Sequence, residues 1–382
     1  LQRRTVMHIK TAPMGWNSWN TFMSEINEKL ILESADAMVE KGYRDAGYEY
    51  IVIDDCWSMK ERDENGRLVP NPEKFPHGMK YVADYIHSKG LKFGMYSCAG
   101  VLTCAGYPSS YGHEFVDAAT FAEWGVDFLK YDFCYFPKNA DGKQAYLTMS
   151  NALRTCGRDI LFSACNWGCG ESWNWMASVG AHMYRSTGDI YNAFESMKKI
   201  ALSQIPHFNC SGPGCFNDID MLTVGMYDKG ALHRGDSPVQ TDADYKTQFA
   251  LWCMLSAPLM MGGDIRNTND FCHELLTNRE LIAINQDPDA RQPYDFSDLV
   301  DSRALCLFKV LSNNEFALGL FNLADKEATA KFFPTCVGFP NYSGAKLLMK
   351  DVFTGEEVTV KDYFMKTLPS HDCVVYKVKA VF

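Results

Sequence analysis

The sequence predicts a (β/α)8 TIM barrel over residues 1–292, followed by a C-terminal antiparallel β-sandwich over residues 293–382. Three observations carry that prediction. Eight short apolar runs alternate with helical patterns through the first part of the chain, as a parallel barrel requires. After Pro293 the helical period disappears and only strand-like runs remain. The length of 382 residues also suits one barrel of roughly 250 residues plus a smaller partner.

The eight barrel runs are Ala12–Trp16, Tyr50–Asp54, Leu91–Ser97, Val126–Asp132, Ile160–Asn166, His182–Ser186, Phe216–Leu222 and Leu259–Gly262. The seventh is the weakest strand taken alone. Amphipathic stretches lie between them. Met79, Val82, Ala83 and Ile86 follow helical spacing and stop at Gly90, and Phe194, Met197, Ile200 and Ala201 repeat the pattern. An open doubly wound sheet is the alternative, but it would call for a phosphate loop or a dinucleotide fingerprint, and the sequence has neither. Beyond Pro293, strands are expected at Ala304–Val310, Glu315–Leu320, Thr329–Phe333, Lys346–Asp351, Glu357–Val360 and Asp372–Val378.

Composition removes several function classes. Hydrophobic residues are 47% and charged residues 22%, so a disordered or fibrous chain is excluded. The net charge of −10 comes without any Lys/Arg run, so nucleic acid is not an expected partner. The longest largely apolar stretch, Trp252–Met261, is far short of the roughly 20 residues that span a bilayer, so no membrane partner is expected. None of the 14 cysteines forms a C-x-x-C pair, and the spread suits a reduced compartment. The N-terminal Leu-Gln-Arg-Arg carries no apolar signal region. The expectation is therefore a cytoplasmic protein, or a secreted one whose leader has been removed. The sequons at Asn209 and Asn341 are short motifs that recur by chance.

Catalytic groups of a parallel barrel project from the C-terminal ends of its strands. Here those ends read Gly15-Trp16-Asn17-Ser18-Trp19-Asn20, Asp54-Asp55-Cys56-Trp57, Lys130-Tyr131-Asp132, Cys165-Asn166-Trp167-Gly168, Arg185 through Asp189, and Asn217-Asp218-Ile219-Asp220-Met221. A single Asp after a strand commonly caps a helix, and a single Trp or Cys is commonly core. Caps alone would not bring Lys, Arg and Trp to the same mouth. An aromatic face suits the C–H face of a pyranose and carboxylates suit its hydroxyls. Two further carboxylates would serve glycoside cleavage. His77, His113 and His182 share no ligand spacing, so no metal is expected.

Eight segments then resemble a known family in order. They are Pro13-Met14-Gly15-Trp16-Asn17-Ser18-Trp19, Ile53-Asp54-Asp55-Cys56-Trp57, Lys74-Phe75-Pro76-His77-Gly78, Gly94-Met95-Tyr96-Ser97, Thr103-Cys104-Ala105-Gly106, Trp124-Gly125-Val126-Asp127, Lys130-Tyr131-Asp132 and Asn217-Asp218-Ile219-Asp220-Met221-Leu222. The sequence is similar to glycoside hydrolase family 27 of clan D, the α-galactosidase/α-N-acetylgalactosaminidase family. The resemblance implies a retaining exo-glycosidase that removes terminal α-D-galactosyl residues through a covalent glycosyl-Asp intermediate, without a cofactor. It implies Asp132 as nucleophile and Asp189 as general acid/base. Asp54 and Asp55 would hold the 4- and 6-hydroxyls, and Lys130 would bind ring hydroxyls. Trp19, Tyr96, Cys104, Arg185, Asp220 and Met221 would complete the pocket. The partner is a galactose-containing oligosaccharide or glycoconjugate, and a homo-oligomer is compatible with the chain.

Two departures bear on these expectations. Many relatives have Glu where this chain has Asn166, and Asn166 with Cys169 would face carbon 2 of the sugar. An amide can donate as well as accept, so the resemblance keeps α-N-acetylgalactosaminidase as an alternative. Ser24 stands where relatives have a Cys, which leaves Cys56 without a partner, while Cys104 and Cys134 remain able to pair. A β-L-arabinopyranosidase would change the first residue of the Asp54-Asp55 pair, and a lectin-like galactose binder would lose Asp132 or Asp189. All four residues are present.

Overall fold

The computed structural model describes residues 8–207, 209–230 and 237–382. The N-terminal segment read above for a signal region falls on residues 1–7, outside the described residues.

The barrel strands are β1 (Met14–Asn17), β2 (Tyr50–Val52), β3 (Lys92–Cys98), β4 (Phe128–Asp132), β5 (Leu161–Cys165), β6 (Met183–Arg185), β7 (Phe216–Asp218) and β8 (Leu259–Met261). All adjacent pairs are parallel, in the order β7-β6-β5-β4-β3-β2-β1-β8. The ring closes through Leu222, whose N–H donates to the Met260 carbonyl and which bridges Met261 in parallel sense. The seventh run therefore divides. It is a strand to Asp218, and it then turns at Asp220, whose φ of +80° breaks the extended backbone before Leu222 rejoins the ring.

Alternation along the strands builds two different layers. Ile51, Leu129, Tyr131, Phe162 and Tyr184 point outward into the core shared with the helices. Tyr50, Val52, Phe128, Leu161, Met183 and Phe216 point inward and fill the lower barrel. The same inward phase, one or two steps further along, carries Lys130 and Asp132 on β4 and Arg185 on β6. The sequence thus places apolar plugs below and charges above on one face. Gly15 is required here, because a Cβ on it would lie 2.6 Å from the Tyr50 carbonyl oxygen.

The helices follow the predicted periods. Met79, Val82, Ala83 and Ile86 are buried in the helix Gly78–Ser88. Phe194, Met197, Ile200 and Ala201 are buried in Phe194–Gln204. The helix Asp242–Met254 begins with a Thr241/Asp244 capping box, which satisfies two otherwise orphan donors.

The C-terminal strands are β9 (Tyr294–Asp295), β10 (Leu305–Val310), β11 (Glu315–Phe321), β12 (Ala328–Phe332), β13 (Lys346–Asp351), β14 (Glu357–Val360), β15 (Phe364–Leu368) and β16 (Cys373–Val381). They form an antiparallel six-stranded sheet, β14-β13-β16-β11-β10-β9, and a two-stranded sheet, β12-β15. Phe308, Leu318, Leu347 and Tyr376 of the first pack with Phe332 and Leu368 of the second, giving the expected sandwich. β9 and β15 were not anticipated. β9 is two residues long, and β15 exposes Met365 and Thr367 and shows no apolar run. The outer face of the large sheet packs on the barrel through Leu307, Ala317, Phe321 and Val375. Lys309 is fully buried in that seam, donating to Ser256 Oγ at 2.6 Å and the Ile284 carbonyl at 3.0 Å, and burial pulls its pKa down to about 7.

Candidate active site

A cavity opens at the C-terminal ends of the strands. Trp19, Asp54, Asp55, Tyr96, Cys104, Lys130, Asp132, Arg185, Asp189, Asp220 and Met221 line it, together with Asn20 and Trp167.

The β2–β4 wall is a closed set of hydrogen bonds. Asp54 Oδ2 accepts from Lys130 Nζ at 2.8 Å and from Asn17 Nδ2 at 2.7 Å, and its backbone N–H donates to Ser18 Oγ. Asp55 accepts from the N–H groups of Cys56 and Ala105 at 2.7 and 2.9 Å, so this carboxylate also anchors the loop that carries Cys104. Asp132 Oδ1 accepts from the Phe133 N–H at 2.8 Å, and its Oδ2 accepts from the Tyr96 hydroxyl at 3.2 Å. Burial raises the Asp132 pKa to about 6, against the opposing pull of Lys130. Burial alone would depress Lys130, but Asp54, Cys165 and Asp132 together outweigh it and the ammonium is held above its ordinary value.

The opposite wall is organised by one guanidinium. Arg185 is buried and bridges two carboxylates, Asp189 at 2.6 Å and Asp220 at 2.9 Å. Asp220 is buried, accepts from the Ile190 and Met221 N–H groups, and is raised by burial to about 6. Asp189 differs, since its side chain is 70% exposed at the mouth.

Asn166 and Cys169, by contrast, are not among the residues that line the cavity. Asn166 is 1% exposed and staples its own loop. Its Nδ2 donates to the Cys169 carbonyl at 2.9 Å, and its Oδ1 accepts from the Gly168 N–H at 3.3 Å. Trp167 reaches the cavity instead, held at φ +60° with its ring edge-on to Phe133. The sequence carries no local signal for it, because β5 ends at Cys165 and the left-handed Trp167 lies beyond the alternation of the strand. A Cys104–Cys134 disulfide ties the β3 and β4 loops together beside Asp132. Cys56 is free and buried.

A barrel with paired carboxylates, a partly buried Lys, a buried Arg and two indoles around one cavity belongs to the carbohydrate-hydrolase class of barrels. Comparison with known proteins makes it specific. The family described as Alpha galactosidase A matches residues 11–287, and the Alpha galactosidase C-terminal beta sandwich domain matches residues 306–378. The chain belongs to this family, glycoside hydrolase family 27. Alpha-galactosidase A of Cellvibrio japonicus is 38% identical over 96% of this chain and 92% of its own. The structure of α-galactosidase I from Mortierella vinacea is 30% identical with a TM-score of 0.88, covering 97% of both chains. That of the Saccharomyces cerevisiae α-galactosidase with raffinose is 27% identical with a TM-score of 0.86, covering 97% of this chain and 98% of that one.

Proposed function

We propose that this chain is a retaining exo-α-galactosidase in which Asp132 attacks the anomeric carbon and Asp189 is the general acid/base. Hydrolysis of α-galactosides rests on the named relatives. The finer mechanism rests on one observation: the two carboxylates occupy opposite environments of the same cavity. Asp132 is buried at its base and Asp189 is exposed at its mouth. A terminal sugar seated inside leaves its aglycone outside, where only a mouth carboxyl can reach the glycosidic oxygen. The buried carboxylate is desolvated, oriented at both oxygens, and free of the bulk water that would compete for the anomeric carbon.

In the first step Asp132 forms an ester with the anomeric carbon as the bond to the aglycone oxygen breaks, and Asp189 protonates that oxygen. In the second, Asp189 takes a proton from water, which displaces Asp132 and restores the α configuration. The Asp54–Lys130 pair offers an acceptor and a donor to ring hydroxyls, and the indoles of Trp19 and Trp167 offer faces for the sugar's C–H groups. The substrate is a galactose-terminated oligosaccharide or glycoconjugate.

A hydroxyl at carbon 2 is favoured over an acetamido group. Supporting this, neither Asn166 nor Cys169, which the resemblance sets toward carbon 2, lines the cavity, whereas Trp167 does. Paired nitrophenyl substrates test this reading. kcat/KM is expected to favour α-galactoside over α-N-acetylgalactosaminide by at least tenfold, and the reverse order would overturn it. Proton NMR of the first-formed sugar should show α-galactose.

A further inference from the structure

The cysteines divide unequally. Twelve are free, and one pair, Cys104–Cys134, is bridged. The bridge does not belong to a framework that the fold depends on throughout. It joins the two loops around the nucleophile, with Cα atoms 5.1 Å apart. Cys104 is exposed and lines the cavity, so a reductant that enters the mouth reaches it.

The bridge also lies within ligand distance of Asp132. The two Sγ atoms and a carboxylate oxygen of Asp132 lie within 4.8 Å of one another, and no other group of three His, Cys, Asp or Glu ligands converges in this way among the described residues. The Tyr96 hydroxyl stands 3.5 Å from Cys104 Sγ and 3.2 Å from Asp132 Oδ2, so a fourth polar atom borders the same space. Five carboxylates and two cations line the cavity, a balance that favours entry of a cation. Two thiolates and a carboxylate form a tetrahedral donor set for zinc-class ions, with one position left open.

We propose that reduction of Cys104–Cys134 creates an inhibitory site for a thiophilic divalent cation, with Cys104, Cys134 and Asp132 as ligands. A dithiol supplies the two electrons: its thiolate attacks one bridge sulfur, the mixed disulfide resolves, and the products are a cyclic disulfide and two cysteine thiols. Zinc then displaces the two thiol protons and occupies the Asp132 oxygen that would attack the sugar. The inhibitory part rests on the reading of Asp132 as nucleophile.

The test uses the full chain, either air-oxidised or reduced with dithiothreitol and desalted without oxygen. Zinc uptake is measured by equilibrium dialysis and hydrolysis on nitrophenyl α-galactoside. The reduced chain is expected to bind one more zinc than the oxidised chain and to lose activity over the same concentration range, with magnesium inert. Cys104→Ser and Cys134→Ser should each abolish the extra equivalent, and Asp132→Asn should weaken it at least tenfold. Equal uptake by oxidised and reduced chains overturns the proposal, as does an extra equivalent that survives both serine variants. Redox-dependent uptake with full activity instead overturns the inhibitory site, whereas the nucleophile reading stands or falls separately on azide rescue of Asp132→Ala.

Discussion

The two walls of the cavity are built on different principles. On the β2–β4 wall each carboxylate has its own fixed donors. Asp54 has Lys130 and Asn17, Asp55 has two backbone N–H groups, and Asp132 has one N–H and the Tyr96 hydroxyl. On the β5–β7 wall one guanidinium serves two carboxylates, and the backbone turns through left-handed conformations at Trp167 and Asp220. The first wall is redundant and suits recognition and nucleophilic attack. The second hangs on Arg185 and presents Asp189 to solvent, where a proton must be given up and recovered.

The largest expected effect tests the first wall. Asp132→Ala should lower kcat by several orders of magnitude with the fold intact, and azide should restore turnover by taking the vacated position. Circular dichroism and azide-dependent rates check both halves.

Next comes the shared guanidinium. Arg185→Met leaves the buried Asp220 without its cation, and removing one partner of a buried pair costs about 3–5 kcal/mol. A lower melting temperature and a large fall in kcat/KM should appear together. Arg185→Lys should recover little, because an ammonium cannot span both carboxylates as the planar fork does. Lys130→Met should be milder for stability, since Asp54 keeps Asn17 as a donor.

The pH profile sharpens the contrast. Burial holds Asp132 at about 6, above its ordinary 3.8, and the proposed role as nucleophile requires it ionised. kcat/KM should therefore fall as pH drops through about 6. The stability sign is opposite. Between about 3.8 and 6 the folded state holds a proton that the unfolded chain does not, so this group favours folding as pH falls, and favours it less as pH rises through 6. Asp220 acts in the same sense. The acid limb should thus be reversible loss of activity without unfolding. Because Lys130 opposes the shift, Lys130→Met should move the limb to higher pH.

The smallest effect separates neighbours. Trp167→Ala should raise KM for galactosides by removing a wall of the pocket. Asn166→Ala should leave KM nearly unchanged and destabilise the loop by about 0.5–1.5 kcal/mol, the worth of a typical hydrogen bond. Equal effects on KM would place both residues at the sugar.

These contrasts follow what could be read from the chain. Period-2 alternation and the strand-end motifs located all eight barrel strands and brought eleven expected side chains to one cavity. Asn166 and Cys169 fall outside the cavity lining because the loop after β5 turns on a left-handed Trp167, and a carbonyl captures the Asn166 amide. Neither event has a local sequence signal. β15 was missed for a related reason: its pairing with β12 is a tertiary choice that a half-exposed Phe-Met-Lys-Thr-Leu run does not announce. The Cys104–Cys134 pairing came from family resemblance and not from spacing.

The central claim is that the buried carboxylate, and not the exposed one, forms the covalent bond. A slow fluorinated α-galactosyl fluoride should trap the ester, and peptide mass spectrometry of the quenched protein should place the sugar. The account predicts one fluorogalactosyl group on Asp132 within the Phe128–Phe133 segment. A label on Asp189, or no label together with initial release of β-galactose, would contradict it.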